Sequence, residues 1–132
     1  PYTVFESTRS FFTNTIRPLQ LNAISDEQME QNILEAYMRL YRAYQQQKQV
    51  LGEGHLFEVK FEEFERDAMQ ITRQIYEALH LPGWAEAEPA IQAYVDKKKG
   101  YKKNKYAYDP RTIQLVNDHW GEVLDAWGYE RL

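Results

Sequence analysis

Six lysines crowd into nine positions of a chain that is acidic overall. Lys97, Lys98, Lys99, Lys102, Lys103 and Lys105 are interleaved with Gly100 and Tyr101 and followed by Tyr106, with no acid among them. A run of this composition is suited to gripping phosphates while a ring packs on a base. It is also the composition of an ordinary solvated loop, and composition alone leaves both readings open. The net charge is −4, so the remainder holds ten basic against twenty acidic side chains. That balance argues against a protein that coats nucleic acid over its whole surface.

Other candidate groups carry less. His55, His80 and His119 are far apart in three different contexts and do not signal a metal site or a triad, so each reads as structural. Glu58, Glu62, Glu63, Glu65 and Asp67 read as a solvated segment, with Glu65 and Asp67 near a helix N-terminus where negative charge is favourable. There is no cysteine, which excludes a disulfide scaffold and a thiolate nucleophile. No phosphate-cradling glycine loop, dinucleotide turn, zinc-protease helix or calcium loop occurs in the chain. Ser7 is the remaining polar residue of interest. Val4, Phe5, Thr8, Phe11 and Phe12 recur at helical spacing, and at about 100° per residue Ser7 falls on the flank of that stripe, free to face a ligand.

The elements that would position these groups are mostly helices. The opening stripe predicts a helix of about three turns from Pro1. Ser25 and Gln28 form a capping box for a long helix with Met29, Ile33, Tyr37, Leu40, Tyr41 and Tyr44 on one face, stopped by Gly52 and Gly54. Residues 56–61 alternate, with Phe57, Val59 and Phe61 opposite Glu58 and Lys60, which predicts one strand whose partners this chain does not contain. Asp67 and Gln70 start another helix, with Ala68, Ile71, Ile75, Ala78 and Leu79 on its buried face, which Leu81-Pro82-Gly83 ends. A short helix is expected from Pro89 into the lysine run. A last helix opens at Asp109-Pro110 and carries Ile113, Val116, Trp120, Val123, Leu124 and Trp127 to a stop at Gly128.

At 132 residues and 43% hydrophobic, with 14% aromatic, the chain has the length and composition of one globular domain, not of a disordered tail. No apolar run approaches the ~18 residues of a membrane span, and no basic-then-apolar leader is visible. The chain begins at Pro1 without an initiator methionine.

Taken in order, these features resemble the sulfotransferases that use 3′-phosphoadenosine 5′-phosphosulfate, especially the bacterial and carbohydrate-type branch. Pro1 to Ser7, PYTVFES, is similar to the end of the family's Arg-x7-Ser motif, whose arginine would lie two residues before Pro1. LFEVKFEEFERDAMQITRQIYEALHLPG (Leu56 to Gly83) resembles the block of strand, acidic-aromatic turn and helix. KKGYKKNKY (Lys98 to Tyr106) resembles the C-terminal loop over the nucleotide, and Trp127-Gly128-Tyr129 the family's ending.

The resemblance implies an α/β fold, of which residues 1–132 are the C-terminal portion of a single sulfotransferase domain of P-loop-NTPase-like type, mostly helical with one strand at about 56–61. It implies Ser7 on the 3′-phosphate, helped by Arg9; the alternative for Arg9 is a surface arginine paired with Glu6 or with an acceptor-site neighbour. It implies a basic nucleotide-covering loop in which Lys98, Lys99, Gly100, Tyr101 and Lys102 contact the co-substrate. The lysine-bearing turn for the 5′-phosphosulfate and the catalytic base are expected upstream of Pro1, so this stretch alone is expected to be inactive. The acceptor would be a small molecule, carbohydrate or lipid, with no metal, no nucleic-acid partner and a cytoplasmic location. Two rivals remain: a non-catalytic helical interaction module presenting Tyr37, Tyr41 and Tyr44 to a partner, and a nucleotide- or RNA-binding piece built on the lysine run.

Overall fold

The computed structural model describes residues 1–98, 100 and 106–132. Six α-helices are found among them: α1 (Tyr2–Phe11), α2 (Asp26–Gln47), α3 (Phe61–Arg66), α4 (Ala68–Ala78), α5 (Trp84–Lys98) and α6 (Pro110–Trp127). They fall into two compact units. One is Pro1–Gln45 with the described residues of Asn104–Leu132, and the other comprises the described residues of Gln46–Lys103.

The first unit owns the core. Tyr2 and Phe5 of α1 meet Met29, Ile33, Leu34 and Met38 of α2 and Val116, Trp120, Val123 and Leu124 of α6. α2 and α6 carry the end signals that their sequence predicts. The Ser25 hydroxyl accepts the Gln28 N–H at 3.1 Å ahead of α2, and the Asp109 carboxylate accepts the Thr112 N–H at 2.7 Å ahead of α6. Gly128 ends α6 in the left-handed region at φ +62°, where the Tyr129 N–H bonds the Leu124 carbonyl at 2.8 Å. Trp120 is fully buried and breaks the regular helical geometry of α6 at φ −114°, ψ 16°. Its indole N–H donates to the Leu34 carbonyl of α2 at 3.1 Å, and its ring meets Phe5 edge-on at 5.9 Å. After α1 the chain passes through a π-helical turn, Phe12–Ile16, and a 3-10 turn, Arg17–Leu19, before an Arg17–Asp26 ion pair leads into α2.

The second unit has no fully buried residue among those described; Tyr76 of α4 and Trp84 of α5 meet edge-on at 5.1 Å. Asp67 caps α4 as its sequence predicts, accepting the Gln70 N–H at 2.9 Å. α4 ends with His80 at φ +52°, the Leu81 N–H reaching back to the Tyr76 carbonyl at 2.8 Å.

Three expectations are corrected here. The strand at 56–61 does not form among the described residues: 56–60 joins no ladder, and Phe61 opens α3. Alternation favours an extended chain, but a strand exists only against a partner that can take its backbone bonds. The helix expected from Pro89 begins five residues earlier at Trp84, with Pro89 inside its second turn. A proline there forfeits its own N–H bond and crowds the carbonyl four residues before it, while the first turn is anchored by the Ala87 N–H on the Gly83 carbonyl at 3.0 Å. On α2, Leu40 is 72% exposed and Met38 and Leu34 are buried in its place.

Candidate functional site

α1 buries Tyr2, Phe5 and Glu6. The stripe expected from spacing is therefore rotated: Val4 is 44% and Phe11 52% exposed. Ser7 lies between them, one turn from each, near the middle of the exposed face and not on the flank of a buried one. Its hydroxyl makes no hydrogen bond to any described residue.

Charge explains the rotation. Glu6 and Glu30 are both buried, yet neither is unpaired. The Arg9 guanidinium donates to Glu6 at 2.8 Å through Nη2 and to Glu30 at 3.2 Å through Nη1. Arg111, from the first turn of α6, donates to both oxygens of Glu30, at 3.1 and 2.6 Å. Thr112 donates its hydroxyl to Glu6 at 3.2 Å. Two carboxylates thus share two guanidiniums, and the apolar pattern of α1 yields to that neutral cluster because an unpaired buried charge costs far more than an exposed Val or Phe. The hydrogen bonds from Arg111, aided by those from Arg9, hold the Glu30 carboxyl below its usual range despite burial, and Glu30 in turn raises Arg111. Asp109 is lowered first by the Thr112 N–H it accepts. Arg9 thus pairs with Glu6, one of the alternatives of the sequence reading, and with Glu30 as well.

In the second unit, Lys97 and Lys98 occupy the last turn of α5, exposed, where cations favour the helix dipole. Lys98 Nζ lies 5.6 Å from the centre of the Tyr94 ring. Gly100 has φ +90°, and nothing lies within 4 Å of the position a Cβ would take, so the requirement for glycine is one of backbone conformation. Lys99, Tyr101 and Lys102 lie outside the described residues, as do Lys103 and Lys105. Ser7 and the described lysines belong to different units.

A family model described as the sulfotransferase family matches residues 1–86. The chain belongs to the sulfotransferase family. Over 131 residues, 99% of its length, it is 25% identical to the omega-hydroxy-beta-dihydromenaquinone-9 sulfotransferase Stf3 of Mycobacterium bovis, and to that of Mycobacterium tuberculosis to the same extent. It spans about a third of the length of these relatives, 34%. No solved structure matches.

Within this sulfotransferase chain, no group of three or more His, Asp or Glu among the described residues could hold a metal ion. His55 and His119 place Nδ1 2.9 Å from the carbonyls of Glu53 and Leu115 respectively. Glu58 pairs with Lys48 at 3.2 Å, and Glu62 and Glu63 occupy the first turn of α3. Tyr37 stacks on Trp120 at 4.0 Å and Tyr44 on Trp127 at 6.4 Å, while Tyr41 is half-buried against the core. Tyr37 and Tyr41 thus pack on the core of the first unit, and Tyr44 on Trp127. No helix of the described residues is long and apolar enough to cross a membrane.

Proposed function

We propose that the protein transfers a sulfuryl group from 3′-phosphoadenosine 5′-phosphosulfate to a hydroxyl or amine acceptor, with residues 1–132 as the C-terminal portion of a single α/β domain of P-loop-like fold. The family match over residues 1–86 carries this reading. In the reaction the bond from sulfur to the 5′-phosphate oxygen breaks, a bond from sulfur to the acceptor oxygen or nitrogen forms, and adenosine 3′,5′-bisphosphate leaves. The acceptor proton passes to a base contributed by the rest of the enzyme. As in phosphoryl transfer, the protein's work is to position the reactants and stabilise charge on the moving group and the leaving phosphate.

In this reading Ser7 donates its hydroxyl to the 3′-phosphate, and its place on the exposed face of α1 supports that role. Lys98, Lys99, Gly100, Tyr101 and Lys102 form the basic cover of the nucleotide, the lysines neutralising phosphate charge. The acceptor is a small molecule, carbohydrate or lipid. A hydroxyl on a lipid-like molecule is the acceptor that the name of the mycobacterial relatives supports. The enzyme works in the cytoplasm.

Calorimetry of the intact enzyme with adenosine 3′,5′-bisphosphate tests the assignment. A hydrogen bond to a charged group is worth about 1.5–3 kcal/mol, so Ser7→Ala weakens binding by roughly 10–100-fold. Unchanged affinity in a normally folded variant rejects the role of Ser7, and absence of sulfuryl transfer from the donor across a broad acceptor panel rejects the activity.

A further inference from the structure

α1 is held to the first unit by two kinds of contact. Tyr2 and Phe5 pack into the core, and apolar packing is non-directional. The Tyr2 hydroxyl also donates to Asn117 at 2.5 Å, and the Thr3 and Tyr108 hydroxyls share a hydrogen bond at 2.6 Å, but both contacts lie in the first turn. The directional contacts that bracket Ser7 are those of Glu6, immediately before it, and Arg9, two residues after it. Both depend on α2 and α6. Glu30 takes Arg9 from one side and Arg111 from the other, and Thr112 takes Glu6.

We propose that Arg111 is a positioning residue for donor binding: by clamping Glu30 it holds Arg9, and through the Arg9–Glu6 pair it sets the rotation at which α1 presents Ser7. The inference rests on the reading of Ser7 as a 3′-phosphate contact. Helical geometry makes the device sensitive, because a slip of one residue swings a side chain by about 100°. Charge makes it specific. Without Arg111, two buried carboxylates compete for the single Arg9 guanidinium, which cannot keep both bonds at full strength. Arg111 itself is 59% exposed, so its loss opens no cavity in the core and acts through this competition. A cluster of ions is not needed for stability at such a place, since apolar residues of similar size commonly serve as well; what charged groups add is a fixed register.

The test uses the intact enzyme, with Arg111→Met to remove the charge and Arg111→Lys to keep it without the two-point grip. Affinities are measured by calorimetry for adenosine 3′,5′-bisphosphate and for adenosine 5′-monophosphate, which lacks the 3′ group. Misplacement of the hydroxyl weakens the bisphosphate about tenfold in Arg111→Met while the monophosphate changes by less than about twofold. Arg111→Lys recovers part of the loss, and gives the same selective pattern should the methionine variant not fold. In a Ser7→Ala background Arg111→Met costs the bisphosphate nothing more, because the group it positions is gone. Equal weakening of both ligands, a fall in melting temperature with bisphosphate affinity intact, or additive losses in the double variant overturns the positioning role. Those outcomes are distinct from failure of the Ser7 reading, which shows as an unaltered bisphosphate affinity in Ser7→Ala alone.

Discussion

Trp120 lies face to face with Tyr37, ring centroids 4.0 Å apart and planes 28° from parallel. The indole also bonds the Leu34 carbonyl and is sealed from solvent, so one side chain of α6 grips α2 in two ways. The desolvation that accompanies this packing raises the Tyr37 hydroxyl above the ordinary tyrosine range, with Tyr41 adding to the shift. Trp120→Phe keeps an aromatic ring but loses the N–H donor and part of the volume. The expected cost is about 2–3 kcal/mol, read as a lower urea midpoint at unchanged slope. A midpoint equal to that of the parent contradicts this account.

Acid stability reports on Glu30. Its folded value is held below the ordinary 4.5, first by Arg111, so the unfolded chain binds more protons in that window and stability rises with pH there. The contribution is complete above 4.5 and is lost as pH falls through the depressed folded value. Melting temperature followed from neutral pH into acid therefore drops below this point, and Glu30→Gln makes the drop shallower. A drop of the same steepness in that variant assigns the acid sensitivity elsewhere.

The helix ends of α4 and α6 close with the same backbone pattern but different residues at the left-handed position: His80 at φ +52° and Gly128 at φ +62°. A side chain there costs roughly 1–2 kcal/mol relative to glycine. Gly128→Ala is expected to lower stability by about 1 kcal/mol. His80→Gly works in the opposite sense, raising stability by up to about 1 kcal/mol by relieving the same strain. Chemical denaturation of the two variants gives shifts of opposite sign; shifts of the same sign disprove the common cause.

Salt dependence separates the basic run from a solvated loop. Replacing Lys98, Lys99 and Lys102 together by alanine weakens binding of adenosine 3′,5′-bisphosphate and flattens its decline with ionic strength, because fewer charges meet the phosphates. The melting temperature of the ligand-free protein changes little. Titration at two salt concentrations is sufficient, and an undiminished salt slope returns these lysines to a purely solvating role.

Helix punctuation was legible in the sequence, since Ser25, Asp67, Asp109 and Gly128 act on neighbours within a few residues and each does what its type predicts. The apolar stripe of α6 was legible for the same reason. The rotation of α1 was not. Spacing placed Val4 and Phe11 inward because it weighs apolar residues and ignores what a charged residue meets, and Glu6 meets Thr112 across 106 positions of sequence. The Glu6–Arg9 spacing was a visible signal of an ion pair, but its burial depends on Arg111 and Glu30, 81 residues apart, and no local pattern joins those two. The strand at 56–61 failed on the same ground: alternation is local, whereas a ladder requires a second strand.

The Trp120–Leu34 bond closes a span of 86 residues, and the whole second unit is contained in that span. Closure entropy grows only with the logarithm of span, each doubling adding about 0.6 kcal/mol, so insertions or deletions between α2 and α6 weigh little on the equilibrium stability of the first unit. Folding speed bears the burden instead. The three-helix core cannot be completed from neighbours along the chain, and α1 and α2 must wait for α6 to be synthesised and to find them. The core of the first unit thus closes only when α6, eighteen residues long, meets α1 and α2.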